Sequence, residues 1–126
     1  MNIIKIKGTE DTPNVILDAE NGIFEISGRS LPEDVAQFFD PILAWLDDYS
    51  EIVNEKTSFS FKLTYFNTAS SKLLLDVLLK LEDMKEDGAD IEVKWYFPEE
   101  DEDMQEAGEE FNEIVDLPFE HIEYPG

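Results

Sequence analysis

The chain has 126 residues, a length that suits one domain with a single hydrophobic core. Its 31 acidic and 9 basic residues leave a formal net charge of -22, which argues against nucleic acid and anionic membrane surfaces as direct ligands and favours basic partners. There is no cysteine, so disulfides, zinc–thiolate sites and thiol catalysis are excluded.

Hydrophobic residues make up 42% of the chain and recur periodically, which argues for a packed fold rather than disorder. Met1-Asn2-Ile3-Ile4-Lys5 lacks the pattern of a secretory signal. No apolar run approaches the ~20 residues needed to span a bilayer. The expectation is a cytoplasmic domain covering residues 1–126, with no direct membrane contact.

In chain order, residues 3–7, 14–18 and 22–27 read as short strands, and Asn21-Gly22 predicts a hairpin between the last two. Ser30-Leu31-Pro32-Glu33 has the form of a capping box, with Ser30 as the helix cap. The helix after it carries Val35, Phe38, Phe39, Ile42, Leu46 and Tyr49 on its apolar face. Pro41 falls inside it, so a kink or a restart at Asp40 is expected. Residues 57–66 alternate, with Phe59, Phe61, Leu63 and Tyr65 on the packed face. A second helix over about 69–86 has Leu74, Val77, Leu78, Leu81 and Met84 as its core stripe and ends at Asp87-Gly88. Residues 90–97 form another alternating strand. An acidic helix begins near Glu99, with Met104, Ala107, Phe111 and Val115 at helical spacing, and residues 119–124 suit a last edge strand. The whole is an α/β domain with a mixed sheet whose helices mostly cover one face, because strands buried on both faces would lack this alternation.

Thr68 lies where the alternating strand gives way to the second helix. Its hydroxyl is placed to accept from the N–H of Ser70 or Ser71, as an ordinary cap does. The same position also suits a phosphate, since the first backbone N–H groups of a helix lack partners and the helix dipole is positive there. Lys72, one turn on, is within reach.

The run Tyr65-Phe66-Asn67-Thr68-Ala69-Ser70-Ser71-Lys72, continuing into Leu74-Leu75-Asp76, resembles the SiaC family of bacterial regulatory phosphoproteins, whose fold is STAS-like, as in anti-sigma-factor antagonists. Supporting segments are Glu25-Ile26-Ser27-Gly28-Arg29-Ser30, Pro32-Glu33-Asp34, Trp45-Leu46, Trp95-Tyr96, Asp101-Glu102-Asp103-Met104 and Leu117-Pro118-Phe119. The resemblance implies a non-enzymatic partner switch without cofactor or metal. On that resemblance, a dedicated protein kinase would phosphorylate Thr68 and a PP2C-type phosphatase would reverse it. The unphosphorylated form would bind and activate a diguanylate cyclase, raising cyclic di-GMP and favouring biofilm. Ala69 departs from the family pattern, where a serine is expected, and leaves Ser70 as the nearest alternative acceptor. Asn67, Ala69, Ser70, Ser71, Lys72, Leu75 and Arg29 are the candidate partner-binding residues around Thr68.

Other features have two readings each. Arg29, the only arginine, pairs with a nearby carboxylate or contacts the phosphate or partner. Glu99–Asp103 is a dipole-matched helix start or a docking point for a basic surface, and its spacing does not fit a calcium loop. Leu73, Leu75 and Leu79 pack a second side of the core or form an exposed apolar patch beside Thr68. His121 has no nucleophile motif to serve and reads as a surface residue. The alternative to a phospho-switch is an acidic mimic or inhibitor that occupies a basic groove by charge alone.

Overall fold

The alternation in Thr57–Phe66 sets the layering. Phe59, Phe61 and Leu63 are buried, while Ser58, Ser60 and Lys62 between them stay half-exposed on the opposite face. In the computed structural model, which describes all residues from Met1 to Gly126, this segment is the fourth of six strands. The strands are β1 (Ile4–Ile6), β2 (Asn14–Asp18), β3 (Ile23–Ser30), β4 (Thr57–Phe66), β5 (Ile91–Pro98) and β6 (Phe119–Tyr124), and they lie side by side in chain order. The first three pair antiparallel, and β3 through β6 pair parallel. Helices α1 (Val35–Tyr49), α2 (Thr68–Glu86) and α3 (Glu102–Ile114) make the three parallel crossovers. Each crossover joins neighbouring strands, and right-handed connections of that kind put all three helices on one face. The mixed α/β sheet expected from the alternation is therefore present.

The core between sheet and helices is one cluster of 25 buried hydrophobic residues. Trp95 is wholly buried and donates its indole N–H to the Met104 carbonyl of α3 at 2.9 Å. Gly108 lets α3 lie against that ring, since a Cβ there would sit 2.4 Å from Trp95 Cδ1. On the open face Lys62 pairs with Glu25 at 3.1 Å and sits over the Tyr96 ring.

The expected capping box is corrected. Ser30 ends β3 opposite Phe66 and is wholly buried, so it does not cap α1. Asp34 does, accepting from the Gln37 N–H at 3.0 Å. No restart occurs at Asp40 either, because α1 runs unbroken through Pro41. Pro41 and Gln37 both face solvent, so the carbonyl that the missing N–H leaves without a helical bond is open to water. Trp45 joins the buried stripe of α1.

The expected hairpin between β2 and β3 forms. Gly22 takes a positive φ of 69°, and Asp18 accepts from the backbone and side-chain N–H groups of Asn21 at 3.1 and 2.8 Å. The Asn21 side-chain bond, then its backbone bond, hold the Asp18 carboxyl below its ordinary range. A depressed folded value stabilises the protein above the unfolded value, and that stabilisation is lost as pH falls through the folded one. Asp18→Asn is therefore expected to lower stability at neutral pH, and urea titrations should show the gap to wild type narrowing as pH falls through the carboxylate range. A gap independent of pH would show that the charge has no part in it.

Candidate functional site

The candidate site is built where β4 hands the chain to α2. Leu63 pairs with Gly28, but Tyr65 pairs with Arg29, so Thr64 is an extra residue in β4. Such a bulge reverses the facing of the residues beyond it. Tyr65, expected on the packed face, is instead 47% exposed. Phe66 turns inward, its ring 6.3 Å from Trp95 and 6.2 Å from Phe111.

Asn67, not Thr68, is the cap of α2. Its Oδ1 accepts from the Ser70 N–H at 2.8 Å, and its carbonyl accepts from Ser71 at 3.0 Å. Asn67 holds an extended conformation before the first helical residue, whereas Thr68 is already inside the helix. This corrects the expectation that the Thr68 hydroxyl caps. That hydroxyl is exposed and makes no hydrogen bond within the chain, and the N–H groups of Thr68 and Ala69 have no protein acceptor. A phosphate on Thr68 would meet those two donors at the positive end of a 19-residue helix.

The structure separates the residues expected around Thr68. Asn67, Ala69, Ser71, Lys72 and Leu75 lie at or near the surface. Ser70 does not. It is wholly buried, its Oγ donating to the Ser30 carbonyl at 2.8 Å and accepting from Ser30 Oγ at 2.9 Å. It is therefore corrected both as a partner contact and as an alternative acceptor, because its hydroxyl is enclosed and engaged.

Arg29 makes no ion pair with a carboxylate. Its Nε donates to the Glu10 carbonyl at 3.1 Å and its guanidinium lies 5.4 Å from the centre of the Tyr65 ring. The bulge that turns Tyr65 outward supplies that ring. Sequence patterning gave no sign of this contact, because the alternation runs through Tyr65 without a break.

Beside Thr68, α2 and α3 leave a groove of about 190 Å³ between Ser71, Lys72, Leu75, Ala107, Glu110 and Ile114, with Phe66 and Phe111 behind it. Leu73 and Leu75 are half-buried against the core, while Leu79 is 38% and Ile114 59% exposed. Leu73 and Leu75 thus pack a second side of the core, and the exposed Leu79 lies about three turns along α2 from Thr68 rather than beside it. Ile114 was missed, and its only signal was its place off the core stripe of its helix. At the start of α3, Asp101 caps Met104 at 3.0 Å and Glu102 and Asp103 occupy the first turn, the dipole-matched arrangement. His121 is exposed and lies 3.3 Å from Asn112 Oδ1.

An exposed, unbonded hydroxyl on an anchored helix start, next to an apolar groove, suits a protein that others modify and bind. The model of the SiaC family regulatory phosphoprotein matches residues 6–124, and the chain belongs to that family. An uncharacterized protein of Pseudomonas aeruginosa strain UCBPP-PA14 is 29% identical over 119 residues, 94% of each chain. The structure is similar to that of apo-SiaC from P. aeruginosa, with a TM-score of 0.88, 27% identity and coverage of 97% of this chain and 99% of that one. It is equally similar to a chain in the crystal structure of the diguanylate cyclase SiaD in complex with its activator SiaC, with a TM-score of 0.90, 27% identity and coverage of 96% and 99%.

Asn67→Ala removes the cap and is expected to cost about 1 kcal/mol in urea unfolding, with faster amide exchange at Ser70 and Ser71. Asn67→Asp, which keeps the acceptor, should stay near wild type. An unchanged exchange rate in Asn67→Ala would show that the cap does not anchor this turn.

Proposed function

We propose that this chain is a non-enzymatic, phosphorylation-controlled partner switch. Unphosphorylated, it binds a diguanylate cyclase and raises its activity. A cognate kinase places a phosphate on Thr68 and ends that binding, and a PP2C-type phosphatase restores it. Family membership supports a regulatory phosphoprotein, and the P. aeruginosa SiaC is named as activator of a cyclase with which it forms a complex. The observation that carries the assignment to Thr68 is its exposed, unbonded hydroxyl at the first helical position, with two N–H groups beside it lacking acceptors.

Arg29, Asn67, Ala69, Ser71, Lys72 and Leu75 form the partner surface, and the groove between α2 and α3 extends it. Phosphorylation adds about -1.5 to -2 charge at neutral pH. An apolar contact at Leu75 and Ile114 would then have to form beside a strongly hydrated dianion, which costs desolvation energy. The chemistry belongs to the kinase and phosphatase, and this chain is their substrate.

Charge supports a second reading. With a net charge of -22, the chain would attract a basic groove whatever the state of Thr68. The two readings separate on Thr68 and on salt. Incubation with the cognate kinase and ATP is expected to give one phosphate, mapped to Thr68 by mass spectrometry and absent from Thr68→Ala. Thr68→Asp should weaken cyclase binding by roughly tenfold, about 1.4 kcal/mol, while Thr68→Ala keeps it. Label on another residue, or binding that ignores Thr68 and collapses with moderate salt, would overturn the switch in favour of a charge mimic.

A further inference from the structure

We propose that Ser30 and Ser70 form a buried hydroxyl clamp that positions Thr68 for phosphoryl transfer, an inference that rests on Thr68 being the acceptor. The two serines are 40 residues apart in sequence, and both are wholly buried. Ser30 Oγ donates to Ser70 Oγ at 2.9 Å, and Ser70 Oγ donates to the Ser30 carbonyl at 2.8 Å. The same carbonyl accepts the Asn67 N–H at 3.2 Å, and Asn67 Oδ1 accepts the Ser70 N–H at 2.8 Å. Residues 67 and 70 are thus fastened to each other and to the end of β3. Thr68 and Ala69 are the pair held between these two fastenings, and both are exposed.

The need for a clamp lies in the chemistry. The Thr68 oxygen attacks the γ-phosphorus of a nucleoside triphosphate held by the kinase. The new O–P bond forms as the bond to the diphosphate breaks, and the hydroxyl proton passes to the kinase's base. That step is governed by positioning, with the reacting atoms required within about 3–3.5 Å and in line. Helix ends fray readily, and a frayed first turn would present Thr68 in many orientations. The clamp removes that freedom before the kinase docks.

Stability alone does not call for the couple. Replacing both partners of a buried hydrogen bond by apolar groups of similar shape is often nearly neutral. The Ser30→Ala/Ser70→Ala double variant is therefore expected to remain folded. Its effect should fall on the geometry of the turn, which makes Ser30 and Ser70 positioning residues for a group they do not touch.

The test measures kcat and KM for Thr68 phosphorylation by the cognate kinase, with the product mapped by mass spectrometry and thermal unfolding recorded in parallel. Wild type is compared with Ser30→Ala, Ser70→Ala, the double variant and the remote, destabilised Asp18→Asn. Ser70→Ala and the double variant are expected to lose kcat by about tenfold or more with little change in KM. The double variant should lose no more than Ser70→Ala, as members of one couple do. Asp18→Asn should keep wild-type kcat despite its lower unfolding temperature. Wild-type kcat in the double variant would overturn the clamp and leave Thr68 as acceptor. So would a loss of kcat that tracks unfolding temperature across every variant, Asp18→Asn included. Absence of label from Thr68 in the wild-type protein would overturn both. If the double variant does not fold, Ser70→Ala decides: a loss of kcat of about tenfold at little-changed KM supports the clamp, and wild-type kcat overturns it.

Discussion

The pairing of β3 with β4 beyond the bulge at Thr64 is the constraint on which the start of α2 depends. Because Arg29 meets Tyr65 and Ser30 meets Phe66, the Ser30 carbonyl stands where the Asn67 N–H and the Ser70 hydroxyl both reach it. Without the extra residue in β4, Tyr65 would point into the core and Phe66 out of it. The Phe66 contact with Trp95 and Phe111 would be lost, and with it the floor of the groove between α2 and α3. Gly28, with a φ of 92°, supplies the backbone conformation that lets β3 accommodate the bulge.

Much of the fold was legible from periodicity, and the misreadings share a cause. The alternation in 57–66 and 90–97 named the packed strands and hence one-sided helical cover. The bulge at Thr64 was not legible, because the aromatic pair Tyr65-Phe66 satisfies an alternating pattern with or without it. Ser30 fits a capping box locally, yet its fate is decided by a residue 40 positions away. Asn67 and Thr68 are both good caps by chemistry, and only the backbone conformation chooses between them. Thr68 itself was marked as an acceptor by family resemblance. Its place in the sequence showed only that a phosphate there would be well situated. The α3 side of the groove was hidden because Ala107 and Phe111 read as core, while Glu110 and Ile114 lie off that stripe.

Charge bears on how such a site can work. Four of the nine basic residues, Lys56, Lys62, Lys80 and Lys85, are in ion pairs. Lys5, Lys7, Arg29, Lys72 and Lys94 are in none, so Lys72, one turn along α2 from Thr68, is a cation that no carboxylate has claimed. A phosphate changes a net charge of -22 by less than about a tenth, and its field is screened beyond roughly 8–10 Å at physiological salt. The switch proposed at Thr68 would therefore have to act locally, through desolvation of the groove and competition for the N–H groups of Thr68 and Ala69. The overall acidity speeds encounter with basic surfaces but discriminates poorly between the two states.

Calorimetry of the diguanylate cyclase against the wild-type protein, and against the same protein carrying one enzymatically added phosphate on Thr68, tests the switch most directly. Binding of the unphosphorylated form, weakened at least about tenfold by the phosphate at constant salt, is the expected result. Equal affinities for the two forms would contradict a switch at Thr68.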